Sequence, residues 1–243
     1  MRRVSTPEIL DSDDCPPSEV EASLRDISRI NRWFGGVATT RRLIQRVASA
    51  TGSKNFTMLE VAAGFGEVPR IAAQQLSHDG ITLDVTYLDR MPSHLLPGNR
   101  AVVAHALALP FPDRSFDLVS CSLFAHHLEP AELARFGREA LRVSRCAVLI
   151  NDLIRHPLHL AFVYAGFLLM RSYVSRVDGL ASVRRAYVPA EMQQILSAGV
   201  GPGTRIEVSR HFLFRMGVIA WKTSPKTNSA VTSLGPLHLS TSS

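Results

Sequence analysis

Gly64 and Gly66 sit in the segment Glu60-Val61-Ala62-Ala63-Gly64-Phe65-Gly66, between an apolar run ending at Val61 and a helical pattern beginning at Val68. Without a Cβ, each glycine lets the chain turn sharply and lets a ligand approach the backbone. In an open α/β sheet such a ligand lies beyond the carboxyl ends of the strands, where the strand order switches. Glu60, at the end of the strand, is placed to fix the loop and a ligand's amino group, with Ala62 inside the loop. A simple strand-to-helix turn would have the same sequence, so the next strand decides. Asp89 ends it 23 residues beyond Gly66, with Arg90 following. An acidic side chain there can accept from both hydroxyls of a ribose. The competing role for Asp89 is to cap the short helix after it.

Two cofactor classes are excluded. A nicotinamide site carries Gly-x-Gly-x-x-Gly, but the third glycine position is Pro69. A phosphate-binding loop needs Gly-Lys-Ser or Gly-Lys-Thr, and the chain has neither. A nucleoside without a diphosphate remains, and S-adenosylmethionine fits that description.

The motifs resemble those of class I S-adenosylmethionine-dependent methyltransferases, of the broad group that includes ubiquinone and menaquinone biosynthesis methyltransferases. The resemblance spans about 56 to 150. Leu59 to Gly66 resembles the family's first motif, and Tyr87-Leu88-Asp89 its ribose-binding strand end. The stretch from Ala106 to Val119, with Leu109-Pro110-Phe111-Pro112-Asp113 at its centre, resembles the adenine-side loop and fourth strand. Ile30 to Gly36 and Arg210-His211-Phe212 are similar to segments of bacterial small-molecule methyltransferases encoded beside polyketide synthases. The resemblance implies a cofactor held by Glu60, Ala62, Gly64, Gly66, Asp89, Arg90, the segment His105-Ala106-Leu107, and Ser122 at the end of the fourth strand. His105 departs from the family, which places an Asp there to accept from the adenine amino group. A neutral imidazole nitrogen could accept that bond and a protonated one could not. Otherwise the backbone at Ala106 and Leu107 carries recognition. Ala62 and Ala63 stand for the family's Gly and Cys.

Methyl transfer asks the protein mainly for in-line positioning, and a phenol or enol acceptor gains from a base. His126 and His127 follow the fourth strand at the rim where an acceptor would meet the methyl group, and one of them is the candidate base. Capping or packing of the next helix is the alternative. His211, in the terminal strand pair, is a second candidate. Asn151-Asp152 ends the fifth strand, either to meet substrate or to cap a helix beginning near Leu153. The apolar run Leu158 to Met170 is read as a helix roofing the acceptor pocket. Core packing and a membrane-leaning face are its other readings.

Strand and helix alternate from Phe56 to Ile150, which specifies an α/β Rossmann-like, doubly wound sheet. It is expected to be mostly parallel with an antiparallel terminal strand, plus N-terminal helices and an apolar cap helix. Residues 1–19 are read as a flexible leader and 20–222 as the methyltransferase domain. Within that domain, 20–50 are N-terminal helices, 56–150 the cofactor-binding core, 153–200 cap helices and 204–222 terminal strands. The Ser- and Thr-rich residues 223–243 are read as a disordered tail.

With 46% hydrophobic residues, the 243-residue chain can bury a sizeable core. The net charge of +6 lies in residues 151–243, which hold 10 basic and 4 acidic residues. The arginines are scattered, so nucleic acid is not the expected partner. No signal peptide or transmembrane run is read, which makes a cytoplasmic protein the default. Three cysteines without metal-like spacing imply neither a disulfide framework nor a metal site.

The expected reaction is methylation, from S-adenosylmethionine, of an oxygen or carbon of a small lipophilic phenol, quinol or polyketide-like acceptor. Two rivals stand beside it. A nucleic-acid or protein methyltransferase would carry an Asn- or Asp-led Pro-Pro-Tyr motif where this chain has Cys121-Ser122-Leu123-Phe124. A non-catalytic binding protein with the same fold is suggested only by His105.

Overall fold

A computed structural model describes residues 1–11 and 15–222. The tail read at 223–243 lies outside the described residues.

Seven strands form one sheet: β1 (Asn55–Val61), β2 (Thr82–Asp89), β3 (Ala101–Val103), β4 (Phe116–Ser122), β5 (Ser144–Leu153), β6 (Arg205–His211) and β7 (Arg215–Trp221). Their order is β3-β2-β1-β4-β5-β7-β6. The first five pair in parallel, while β7 inserts antiparallel between β5 and β6. The Rossmann-like sheet is thus the expected one. Alternation along β1 shows why it holds together. Phe56 and Met58 point into one buried cluster with Leu43, Ile44 and Val47. Leu59 and Val61 point into the opposite cluster with Leu133, Phe136 and Leu196. A strand paired on both edges and covered on both faces is buried along its length, as β7 is from Arg215 to Ala220.

The first cluster is covered by α2 (Gly36–Thr51) and α3 (Glu67–His78), the second by α4 (Pro130–Val143) and α7 (Pro189–Val200). α1 (Pro17–Trp33), α5 (Pro157–Ala165) and α6 (Tyr173–Arg185) gather over the carboxyl ends of the strands. The cap therefore consists of α5 and α6 with α1. α7, expected among the cap helices, packs on α4 instead, because Gly199 and Gly137 let the two helices close on one another.

Other expectations are corrected. Residues 1–11 are not a loose leader. The amides of Ile9 and Leu10 donate to the two carboxylate oxygens of Asp178, at 2.8 and 2.9 Å. The Arg3 guanidinium donates to the carbonyls of Arg185, His126 and Leu128 and pairs with Glu129. Proline and aspartate remove apolar periodicity from such a segment, but they leave it free to be anchored by polar bonds. β5 runs on through Leu153, so Asn151 and Asp152 lie inside a strand and cap no helix. The helix after them starts at Pro157 and is capped by His156. The apolar run from Leu158 breaks into α5 and a short 3-10 turn at Gly166–Leu169. Leu158, Phe162 and Leu168 are exposed, the last at 96%, so the run is not simply a pocket roof. Among the described residues, no helix is long and apolar enough to cross a membrane.

Candidate active site

The chain leaves β1 toward β2 on one side, and β4 lies on the other, so the strand order switches beside the loop 62–66. A cavity of about 500 Å³ opens there, under α1, α5 and α6. All ten residues proposed for the cofactor line it: Glu60, Ala62, Gly64 and Gly66 from the loop, Asp89 and Arg90 from the end of β2, His105, Ala106 and Leu107, and Ser122 from β4.

The loop turns on residues in left-handed conformation, with φ of +54° at Ala62, +52° at Gly64 and +66° at Gly66. Ala62 occupies that region despite its Cβ, at a cost of about 1–2 kcal/mol. Gly66 has a second reason to be glycine, since a Cβ would come within 2.4 Å of the Tyr87 ring. Its small size thus serves packing against β2, whereas a Cβ at Gly64 would meet only Leu24, at 3.5 Å.

Glu60 is buried, and its Oε2 has no hydrogen-bond partner. Burial pushes its carboxyl up to about 7, with the hydroxyls of Ser120 and Ser122 pulling the other way. An orphaned carboxylate oxygen at the mouth of the glycine loop fits a cationic or N–H-bearing ligand. Asp89 serves the protein first. Its Oδ2 accepts from the Gly64 amide and its Oδ1 from the Met91 amide, both at 3.0 Å, with His94 Nδ1 3.4 Å away. Burial raises its carboxyl, but His94 and the two amides outweigh that and hold it below the usual value. Asp89 therefore holds the turn at Met91 and lines the cavity as an anion.

His105 is corrected. Its Nδ1 accepts from the Leu107 amide at 3.1 Å. In the neutral ring Nε2 then carries the proton and can only donate. An acceptor for an adenine amino group must come from elsewhere, and His105 instead shapes the turn that buries Ala106 and Leu107.

His126 and His127 end a short 3-10 turn, Ala125–His127, while Glu129 caps α4, so neither histidine caps that helix. Both line the cavity. His126 is buried, its Nδ1 2.7 Å from Asp152 Oδ1. Burial lowers its imidazole, but the carboxylates of Asp152 and Glu8 outweigh this and push it up to about 10. Asp152 and Glu8 thus favour the protonated ring, and His126 acts as a base or a ligand only when that proton is displaced. His127 Nε2 lies 3.6 Å from Glu8 Oε2, and its ring stacks on Phe124. His211 does not line the cavity; its Nε2 meets Ser209 Oγ at 2.8 Å on β6. Asn151, which is not part of the cavity lining, donates to Gly36 O and Thr40 Oγ1 and so fastens α2 to the sheet.

Several lining residues were not read from the sequence. Glu8 lay in the supposed leader. Arg215 is buried with its guanidinium on Asn31 Oδ1 at 2.8 Å, and burial lowers it to about 10 despite Asp152. An arginine heading the otherwise apolar run Met216 to Trp221 was the available signal. Asn31 belongs to the Ile30–Gly36 segment and Arg215 follows His211, so the two peripheral similarities meet here.

Residues 59–146 match a family model described as a methyltransferase domain. No curated protein matches the sequence. Among solved structures, an S-adenosylmethionine-dependent methyltransferase from Aquifex aeolicus is similar over 86% of this chain and 100% of its own, with TM-score 0.57 and 17% identity. The plantazolicin methyltransferase BpumL, in complex with a triazolic desmethylPZN analog and SAH, gives TM-score 0.66 at 13% identity, covering 88% and 93%. Its counterpart BamL gives 0.64 at 11%, covering 85% and 92%. At such identities the likeness establishes the shared fold. Residues 59–146 thus match a methyltransferase domain, and the fold around them is the one shared by these solved methyltransferases.

Proposed function

We propose that the acceptor is a small lipophilic or aromatic molecule methylated on oxygen or carbon. The observation that carries this reading is a continuous cavity that joins the glycine loop to an apolar wall. That wall is made of Ile27, Val163 and Met170, with His126 and His127 as its polar patch. A cavity of this size and lining suits a drug-sized apolar molecule held by few polar groups. BpumL and BamL were crystallised with desmethylPZN analogs, which agrees with a natural-product acceptor.

The cofactor, when bound, supplies an electrophilic methyl group on sulfur. Glu60 Oε2 and the loop at Gly64 would hold its charged end, and Asp89 its ribose. α1, α5 and α6 cover the cavity and exclude water, while the Glu8–His126–His127 cluster meets the acceptor's polar atom. Catalysis then rests on positioning, with the chain aligning acceptor and methyl group.

Calorimetric titration with S-adenosylmethionine, followed by turnover with phenolic acceptors and detection of a gain of about 14 mass units (one CH₂), tests the reading. Saturable binding and a methylated phenol are expected. Absence of binding at millimolar cofactor would overturn the cofactor site, and methylation confined to nucleic acid or protein would overturn the acceptor class.

A further inference from the structure

Glu8, His126 and His127 come from distant parts of the chain and converge at the cavity. Glu8 Oε1 is 3.5 Å from His126 Nε2, and Glu8 Oε2 is 3.6 Å from His127 Nε2. All the ligating atoms lie within 4.8 Å of one another. Two atoms bound tetrahedrally to one ion at about 2.0–2.1 Å are separated by about 3.4 Å. The observed spacings are therefore long for hydrogen bonds and suited to a shared ion.

The surroundings of His126 point the same way. Its Nδ1 faces Asp152 Oδ1 at 2.7 Å, and Asp152 is itself held by the amides of His126 and Leu153, at 2.8 and 2.7 Å. A carboxylate on the far nitrogen is the usual outer support of a metal-bound histidine, fixing tautomer and ring plane. His126 Nε2 is buried, faces the cavity and has no hydrogen-bond partner. Two neighbours of Glu8 bear on the balance: Ser182 Oγ donates to Oε1 at 2.9 Å, and Arg185 Nη1 is 3.8 Å away. The Arg185 charge opposes a cation, and the Glu8 carboxylate beside it offsets that charge.

We propose that Glu8, His126 and His127 bind a divalent first-row transition-metal ion, with its remaining coordination positions open to the cavity. Two imidazoles and one carboxylate select an ion of the zinc, iron or cobalt kind over magnesium or calcium. An oxygen of water or of the acceptor fills the open positions. The site also ties residues 1–11 to the turn after β4. The inference goes beyond the acceptor reading and does not depend on it, because metal uptake is measured without turnover.

The test uses the full chain, free of any polyhistidine tag and treated with chelator, titrated with cobalt(II) and read by visible absorption. Zinc(II) is then titrated calorimetrically. One saturable site per chain is expected, with cobalt bands typical of four or five ligands including nitrogen. Glu8→Gln and His127→Ala should each weaken uptake at least about tenfold, the low end of the effect of losing even an outer-layer partner. Circular dichroism checks that each variant folds. Glu8→Gln keeps the side-chain shape and carries the test alone if His127→Ala does not fold. No saturable uptake by the unaltered protein, or uptake undiminished in both variants, would overturn the proposal.

Discussion

The carboxyl of Glu60 holds its proton more tightly in the folded chain, at about 7 against an ordinary 4.5, because burial disfavours the anion. Between those values the folded protein binds more protons than the unfolded chain, so stability is highest below about 4.5 and falls as pH rises toward 7. The contribution is on the order of 3 kcal/mol for a fully buried group. Urea melts of the ligand-free protein between pH 5 and 8 should show this fall, and Glu60→Gln should flatten it. An unchanged slope in the variant would mean that the proton sits elsewhere. Asp89→Ala should weaken S-adenosylmethionine binding by about 1–3 kcal/mol in calorimetry, the range for a lost charge-assisted bond. The loop amide of Gly64 loses its partner in the same variant, so unaltered affinity would place the ribose elsewhere. Local signals made this end of the cavity legible, since a glycine loop and a strand-terminal carboxylate are set by neighbours in sequence. His105 shows where such reading stops: its residue type was visible, but the Leu107 amide that occupies its Nδ1 was not.

Helices and strands with clean periodicity were legible to within a few residues, as with β1, β4 and β7. α6 was not, because it buries Ser175, Asp178 and Arg185 beside Val174, Ala181 and Val183 and so presents no apolar stripe. Those polar groups are tolerated through partners on other elements, such as the Ser175–Ser23 hydroxyl pair and the Asp178 bonds to the N-terminal segment. Gly199 carries another lesson, since in sequence it punctuates a helix end. In the fold it lies inside α7, and a Cβ there would come within 2.6 Å of the Ala134 Cβ on α4. Gly199→Val should therefore push α7 off α4 and cost about 1–3 kcal/mol, read as a lowered melting temperature. Cofactor affinity should stay near its original value, because α7 is absent from the cavity lining.

For the whole molecule, residues 1–11 join parts that the sheet does not connect. Arg3 alone reaches Arg185 on α6 and the carbonyls of His126 and Leu128 after β4, and its guanidinium lies 4.5 Å over the Tyr187 ring. Arg3→Ala should lower stability by about 1–3 kcal/mol, since the part-buried carbonyls of Arg185 and His126 lose the Arg3 donor while that of Leu128 keeps Tyr187. It should also raise the KM for acceptor more than that for cofactor, because the anchored segment lies at the histidine end of the cavity. Equal effects on both constants would show that the segment steadies the whole fold and not one end of the site. Nothing in the first eleven residues signals this, because their partners are more than a hundred positions away.

The two margins of the sheet have a consequence for how the protein meets its own copies. One margin is β3, only three residues long. The other is β6, where Arg205 and Glu207 pair at 2.7 Å, Arg46 joins Glu207 at 3.2 Å, and the Arg205 guanidinium lies over the Trp221 ring. A short strand and a charge-bearing strand both discourage another chain from adding on by backbone pairing. A sheet continuous across two copies is thus disfavoured at either margin, which leaves self-association to the helical faces and keeps the largely apolar β7 paired on both edges.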